Sequence, residues 1–262
     1  MKGQRNMNLT LNAQLATAYT SQSQKARVLT EAWVDSSAFC PNCGYTDIDK
    51  YPNNRPVADF YCSNCGEEYE LKSKQSSVGA KIVDGAYRTM IERLHSSNKP
   101  NFFLLNYSVT RLEVMDFLVI PRHFFLPRLI EQRAPLRSGA RRAGWVGCNI
   151  LINQVPPSGK IYMVRNGVVE PKASVLAGWQ KTLFLRSETA MNVKGWLLDT
   201  ISCIDRIGRK EFTLDEMYAF ESELSRKHLE NHHIRDKIRQ QLQVLRDRNY
   251  LEFTARGNYR LT

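Results

Sequence analysis

Apolar residues recur at helical spacing in residues 24–34, QKARVLTEAWV, where Ala26, Leu29 and Trp33 fall on one face and predict an N-terminal helix. Residues 102–107 (FFLLNY) and 117–120 (FLVI) are short continuous apolar runs, the pattern of buried strands. Between them and the hairpin described below, residues 80–95 (AKIVDGAYRTMIERLH) read as helical. Strand, helix, strand, strand predicts a mixed α/β domain. More short strands follow, as at IYMVRNG (161–167), and the polar stretch RSETAMNVKG (186–195) reads as a linker.

Beyond that stretch the pattern turns helical in WLLDTISCIDRI, TLDEMYAFESELSRKHLE and HIRDKIRQQLQVLRDRNY, and ends in the strand-like YLEFTARGNYRLT. Thr213 and Glu216 have capping-box spacing and start the second of these helices. Apolar Ile234, Ile238, Leu242 and Leu245 form one stripe. His232, Arg235, Asp236, Arg239, Gln240 and Gln243 lie off it, and Arg and Gln can read guanine and adenine edges in a major groove. Such a polar face also suits plain solvation. Arg256 and Arg260 flank a Gly257-Asn258 turn. Three helices and a basic hairpin predict an α+β winged helix over 191–262, after a first domain over 1–190.

Charge sharpens this picture. The chain has 262 residues and a net charge of +11, which favours a polyanionic partner such as nucleic acid or an anionic membrane surface. Residues 121–145 carry six arginines against one acidic residue. Hydrophobic residues at 42% argue for a folded chain rather than a disordered one. The N-terminus lacks an apolar signal core, and nothing approaches a membrane span, so a cytoplasmic protein without membrane contact is expected. No long heptad or apolar dimer face is visible, which leaves a monomer as the expectation.

Six cysteines in a reducing compartment point to metal before disulfides. Cys40-Pro-Asn-Cys43-Gly and Cys62-Ser-Asn-Cys65-Gly are near-copies, 18 residues apart, and give C-x2-C-x18-C-x2-C. That spacing suits four thiolates on one structural Zn2+, with a redox pair or two incidental pairs as the alternatives. Cys148 and Cys203 are left over as free buried thiols.

The second pair carries chemistry of its own. If Cys62–Gly66 is a hairpin turn centred between Asn64 and Cys65, Asp59 falls opposite Glu70. Lys72 then points to the same face two residues on. Opposed carboxylates call for a cation, and oxygen ligands suit Mg2+, which binds phosphate oxygens. The plain alternative is a solvated hairpin with an ordinary Glu–Lys pair, since E-x-K alone is common.

The stretches SQKARVLTEAWV, CPNCG, NNRPVADFYC, EEYELKSK, ARRAGWVGCNI, EFTLDEMYAFES and IRQQLQVLRD, in this order, resemble the DpnI-type methyl-directed (type IIM) restriction endonucleases. The resemblance spans nearly the whole chain. It implies a PD-(D/E)XK nuclease domain with an embedded structural zinc, followed by a winged helix. It also implies cleavage of double-stranded DNA at GATC when the adenine is N6-methylated. Asp59, Glu70 and Lys72 become the catalytic triplet, with Asp59, Glu70 and the Leu71 carbonyl as Mg2+ ligands. Arg141, Arg142 and Trp145 of ARRAGW become DNA contacts. One departure is visible: Asp59 follows Val57-Ala58, so the literal Pro-Asp pair is missing. The rival class is a zinc-containing winged-helix transcription regulator that binds DNA without cutting it, and a junction or repair nuclease stands third. One buried methyl group is worth only about 0.8 kcal/mol, so both domains are expected to read methylation.

Overall fold

The apolar runs become the central strands. The computed structural model describes residues 7–52, 58–75, 79–96 and 99–262. The chain divides into two units: the described residues up to Val155 with Gly159–Gln180, and Pro156–Ser158 with Lys181–Thr262.

The first part of the chain runs α1 (Gln22–Ser37), β1 (Asp49–Lys50), β2 (Phe60–Tyr61), β3 (Glu68–Gln75), β4 (Lys81–Ala86), α2 (Tyr87–His95) and β5 (Asn101–Ser108). It continues through β6 (Glu113–Ile120), β7 (Ile130–Gln132), β8 (Gly147–Leu151), β9 (Ile161–Arg165), β10 (Val168–Val169) and α3 (Lys172–Thr182). A seven-stranded mixed sheet has the order β1-β2-β3-β5-β6-β9-β10, and a second sheet the order β4-β8-β7. Strand β5 lies parallel to β3 and antiparallel to β6. Its Phe102, Phe103, Leu104, Leu105 and Tyr107 are all buried, which is why this run is apolar on both faces. Helix α1 meets the sheet where Trp33 packs edge-on against Phe117, 5.1 Å between centroids. Phe103 joins this core and stacks on Tyr69 of β3 at 4.3 Å. The core therefore reaches directly behind the Asp59/Glu70 hairpin.

The helix expected over 80–95 begins only at Tyr87. Residues Lys81–Ala86 form strand β4, paired antiparallel with β8 through Ile82↔Ile150 and Asp84↔Cys148. Ile82 and Val83 are β-branched and Gly85 is a poor helix former, so once β8 is available the extended form wins.

The second unit holds α4 (Met191–Ile207), β11 (Glu211–Thr213), α5 (Leu214–Tyr218), α6 (Glu221–Lys227), α7 (Ile234–Asp247), β12 (Leu251–Ala255) and β13 (Asn258–Leu261). Its strands form one sheet in the order β11-β13-β12, so the unit is a helix-turn-helix core with a β-wing. The stripe of Ile234, Ile238, Leu242 and Leu245 is buried as its spacing requires. The Thr213–Glu216 capping box closes in both directions. Two expectations change. The stretch 186–195 is linker only in its first half, because α4 starts at Met191 and buries Lys194 and Gly195 behind the polar names. The segment from Thr213 is two helices, not one, bent at Ala219-Phe220. The bend lets Phe220 lie under Arg206, 4.8 Å from its guanidinium, while Met217 and Leu224 stay buried. Asn258 belongs to β13, so the wing turn is Arg256-Gly257. No helix among the described residues is long and apolar enough to cross a membrane.

Candidate functional site

Cys40, Cys43, Cys62 and Cys65 converge, with all four sulfurs within 4.8 Å of one another. The separations are 3.5 Å for Cys40–Cys65 and 3.7 Å for Cys43–Cys62. Four tetrahedral Zn–S bonds of about 2.3 Å span about 3.8 Å between sulfurs, so the donor set fits zinc. The two knuckles are built alike. Gly44 and Gly66 take φ of 75° and 72°, which glycine alone adopts without strain, and their N–H groups donate to the Cys40 and Cys62 carbonyls at 2.8 Å. Among the described residues no other group of metal-ligating side chains is this tight. Cys148 and Cys203 are free and buried.

The second knuckle is also the turn of the hairpin. Its ladder pairs Phe60 with Tyr69 and Tyr61 with Glu68, the register that carries Asp59 across from Glu70. The Asp59 N–H donates to the Tyr69 carbonyl at 3.0 Å. Asp59 Oδ2 accepts the Leu71 N–H at 2.8 Å, which ties the acid to the strand that bears Glu70 and Lys72. Val57 lies outside the described residues. Tyr69 is hydrogen-bonded to Cys40 Sγ at 3.1 Å, so the strand that bears Glu70 and Lys72 is also joined to the cysteine cluster.

Electrostatically the site has an excess of carboxylate. Lys72 Nζ bonds Glu70 Oε1 at 2.7 Å and also Asp84 Oδ1. Arg93 of α2 donates to Glu70 Oε2 at 3.1 Å. Burial raises the pKa of Asp59 above the ordinary carboxylate value, and repulsion from Glu70 and Glu31 adds to it, against the Leu71 hydrogen bond and Lys72. Burial works against the Lys72 ammonium, but Glu70 and Asp84 outweigh it and its pKa is raised. Three acids thus face two cations, an imbalance that a hard divalent ion would relieve.

Both DNA-facing candidates are exposed. Strands β7 and β8 extend as a ribbon through Leu136 N–H to the Trp145 carbonyl at 3.0 Å and Gly144 N–H to the Leu136 carbonyl at 2.9 Å. Arg141 and Arg142 are exposed at its end, with the Arg142 guanidinium 4.8 Å over the half-buried Trp145 ring. A side chain at Gly147 would lie 2.8 Å from that ring, so only glycine leaves room for the indole. On α7, His232 precedes the helix, and Arg235, Arg239, Gln240 and Gln243 are exposed. Tyr218 organises two of them: its hydroxyl bonds Arg239 Nη1 at 2.5 Å and its ring lies 4.9 Å from the Arg235 guanidinium. Gln240 accepts from Lys237 at 2.7 Å. Arg256 is exposed in the wing turn.

Comparison with known families gives two matches. Residues 7–188 match the DpnI model, described as the Dam-replacing family, and residues 192–261 match its C-terminal model, described as the Dam-replacing HTH domain. The chain belongs to the DpnI (Dam-replacing) family. Membership implies a methylation-dependent restriction endonuclease with a DNA-binding C-terminal module. In this member of the DpnI family, the structure brings together Asp59, Glu70, Leu71 and Lys72, and separately the four cysteines. Sequence reasoning missed Asp84, Arg93 and Tyr218. Asp84 was hidden by the helical reading of its segment. Arg93 and Tyr218 reach their partners only through tertiary packing.

Proposed function

We propose that this chain is a type II (IIM) restriction endonuclease of the PD-(D/E)XK class. It cleaves double-stranded DNA at GATC sites carrying N6-methyladenine, by Mg2+-dependent phosphodiester hydrolysis. One observation carries the reading: the hairpin register and the Leu71 bond bring Asp59 beside Glu70 and Lys72 in a cluster short of positive charge. Asp59, Glu70 and the Leu71 carbonyl would hold the ion. When bound, Mg2+ supplies Lewis-acid stabilisation of the phosphate and acidifies a water. Lys72 keeps a protonated ammonium at the reacting phosphate, where it orients water and offsets charge.

Zn2+ on Cys40, Cys43, Cys62 and Cys65 is structural, because four thiolates leave no open position for substrate. Residues 1–190 form the nuclease domain, and 191–262 a winged helix that presents Arg235, Arg239, Gln240 and Gln243 to DNA, with His232 and Arg256 at its edges. Arg141, Arg142 and Trp145 contact DNA from the nuclease domain, so both domains read methylation. The enzyme acts as a monomer in the cytoplasm, where its thiols stay reduced. Incubating methylated and unmethylated plasmid with the protein and Mg2+ tests the reading. Methylated plasmid alone should be cut. Intact methylated DNA that is nonetheless bound would favour the regulator instead.

A further inference from the structure

Lys72 has more carboxylate around it than its own strand supplies. Its ammonium bonds Glu70 from β3 at 2.7 Å and Asp84 from β4, a strand of the other sheet. The Asp84 side chain is 7% exposed. Its Oδ1 also accepts the Gly85 N–H at 2.8 Å, while its Oδ2 is buried without a hydrogen-bond partner. Buried polar atoms are normally paired, so this oxygen is kept at a cost to the fold. Nothing in the nuclease reading given above uses it.

Glu70 is in the opposite position. Lys72 occupies one of its oxygens and Arg93 the other. A divalent ion on Glu70 would be repelled by both cations already there, which favours release of one of them. The lysine is the easier to release, being a point charge on a flexible stem where arginine is a rigid fork. Lys72 is itself 20% exposed, so an ammonium released with no second partner would be stranded largely out of water. Asp84 is that second partner, in place beforehand.

We propose that Asp84 is a positioning residue for Lys72: it retains the ammonium at the site when Glu70 turns to the divalent ion, so the lysine exchanges a partner without leaving. The proposal rests on the nuclease reading. It makes Lys72 a placeholder for the cation between two acids, and Asp84 the group that keeps the placeholder at hand for the phosphate.

The test uses the full zinc-loaded chain as wild type, Asp84→Asn, Asp84→Glu, Lys72→Ala and the Asp84→Asn/Lys72→Ala double variant. Mn2+ binding without DNA is measured by calorimetry, cleavage of methylated duplex by single-turnover kinetics, and folding by thermal melts. Asp84→Asn should lower the saturating single-turnover rate about ten-fold or more with the half-saturating concentration changed less than about two-fold, the mark of an interaction made in the transition state. Asp84→Glu should recover part of that loss. Asp84→Asn should also weaken Mn2+ binding several-fold, because Glu70 then becomes the sole anchor of the ammonium. In the Lys72→Ala background the same change should move Mn2+ affinity less than about two-fold, the signature of an effect carried by the lysine. An equal Mn2+ loss with and without Lys72, or wild-type cleavage by folded Asp84→Asn, overturns the proposal. If the wild type fails to cut methylated DNA, the nuclease reading falls, while the Mn2+ cycle still reports on the Asp84–Lys72 coupling.

Discussion

Asp59→Asn should inactivate the enzyme and yet make the protein more stable in the absence of divalent ions. The Leu71 N–H that donates to Asp59 Oδ2 at 2.8 Å finds an equivalent acceptor in the asparagine oxygen. That bond, worth about 1 kcal/mol net, is kept. What disappears is a charge held unfavourably, first by burial and then by Glu70 and Glu31. Asp59 is only partly buried, so solvent screens part of this, and the gain should be about 1 kcal/mol. For a unit of this size that is about 2–4 °C in the melting transition. Asp59→Ala sheds the same charge but also loses the bond to Leu71, and should lie about 1 kcal/mol below the asparagine variant.

The sign of the pH dependence follows from the raised pKa. Unfolded aspartate titrates near 3.8 and the folded carboxyl above it. The wild type therefore carries its penalty at neutral pH and sheds it as pH falls from the folded pKa to the unfolded one. The advantage of Asn should vanish in acid. Excess Mg2+ should reverse the order, because an ion at one hundred times its Kd adds about 2.7 kcal/mol to a protein that binds it. Calorimetric melts across pH, with zinc retained and Mg2+ present or absent, measure all of this. An asparagine variant less stable than wild type at pH 7 without Mg2+, by a margin independent of pH, would refute the reasoning.

Metal analysis should find one zinc per chain, and Cys62→Ser should lose it together with several kcal/mol of stability; active protein free of zinc would remove the structural assignment. Residues 191–262 expressed alone should bind target duplex in fluorescence anisotropy. There Arg239→Ala should cost about 1–3 kcal/mol and relax sequence preference, whereas Arg256→Ala in the wing turn should weaken all sequences alike and lower the salt slope by about one, as expected of a residue that meets phosphate. Trp145→Ala should slow cleavage, and hemimethylated duplex should be cut at an intermediate rate. A single domain that supplied all the methyl preference in binding assays would contradict the two-reader proposal.

What could be read from the sequence was local. The period of α1, the apolar run of β5, the capping box and the two cysteine pairs each announce themselves within a few residues. The hairpin register followed from placing Cys62–Gly66 at the turn, since an antiparallel ladder admits no freedom once its centre is set. Asp84 was out of reach for the opposite reason. Its strand exists because of β8, more than sixty positions on, and Val83↔Asn149 has no trace in the residues around Asp84. Tyr218 likewise gains its role only when the bend at Ala219-Phe220 turns α5 toward α7.

The cysteines and the carboxylates share a hairpin for a mechanical reason. Strand β2 has only two ladder residues, Phe60 and Tyr61, and a pairing that short is too weak to fix its own alignment. A slip of one residue would turn Asp59 to the opposite face, away from Glu70 and Lys72. The turn is instead gripped from outside, since Cys62 and Cys65 meet Cys43 and Cys40 from the segment before β1. The two ladder pairs and the two bonds that join Asp59 to Tyr69 and Leu71 contribute about 1 kcal/mol each. A structural zinc on four thiolates is worth about 10 kcal/mol or more. With zinc bound, the alignment of Asp59 is decided at the sulfurs rather than in the ladder. A zinc ion held there would take no part in the proposed chemistry and yet set the register on which that chemistry depends.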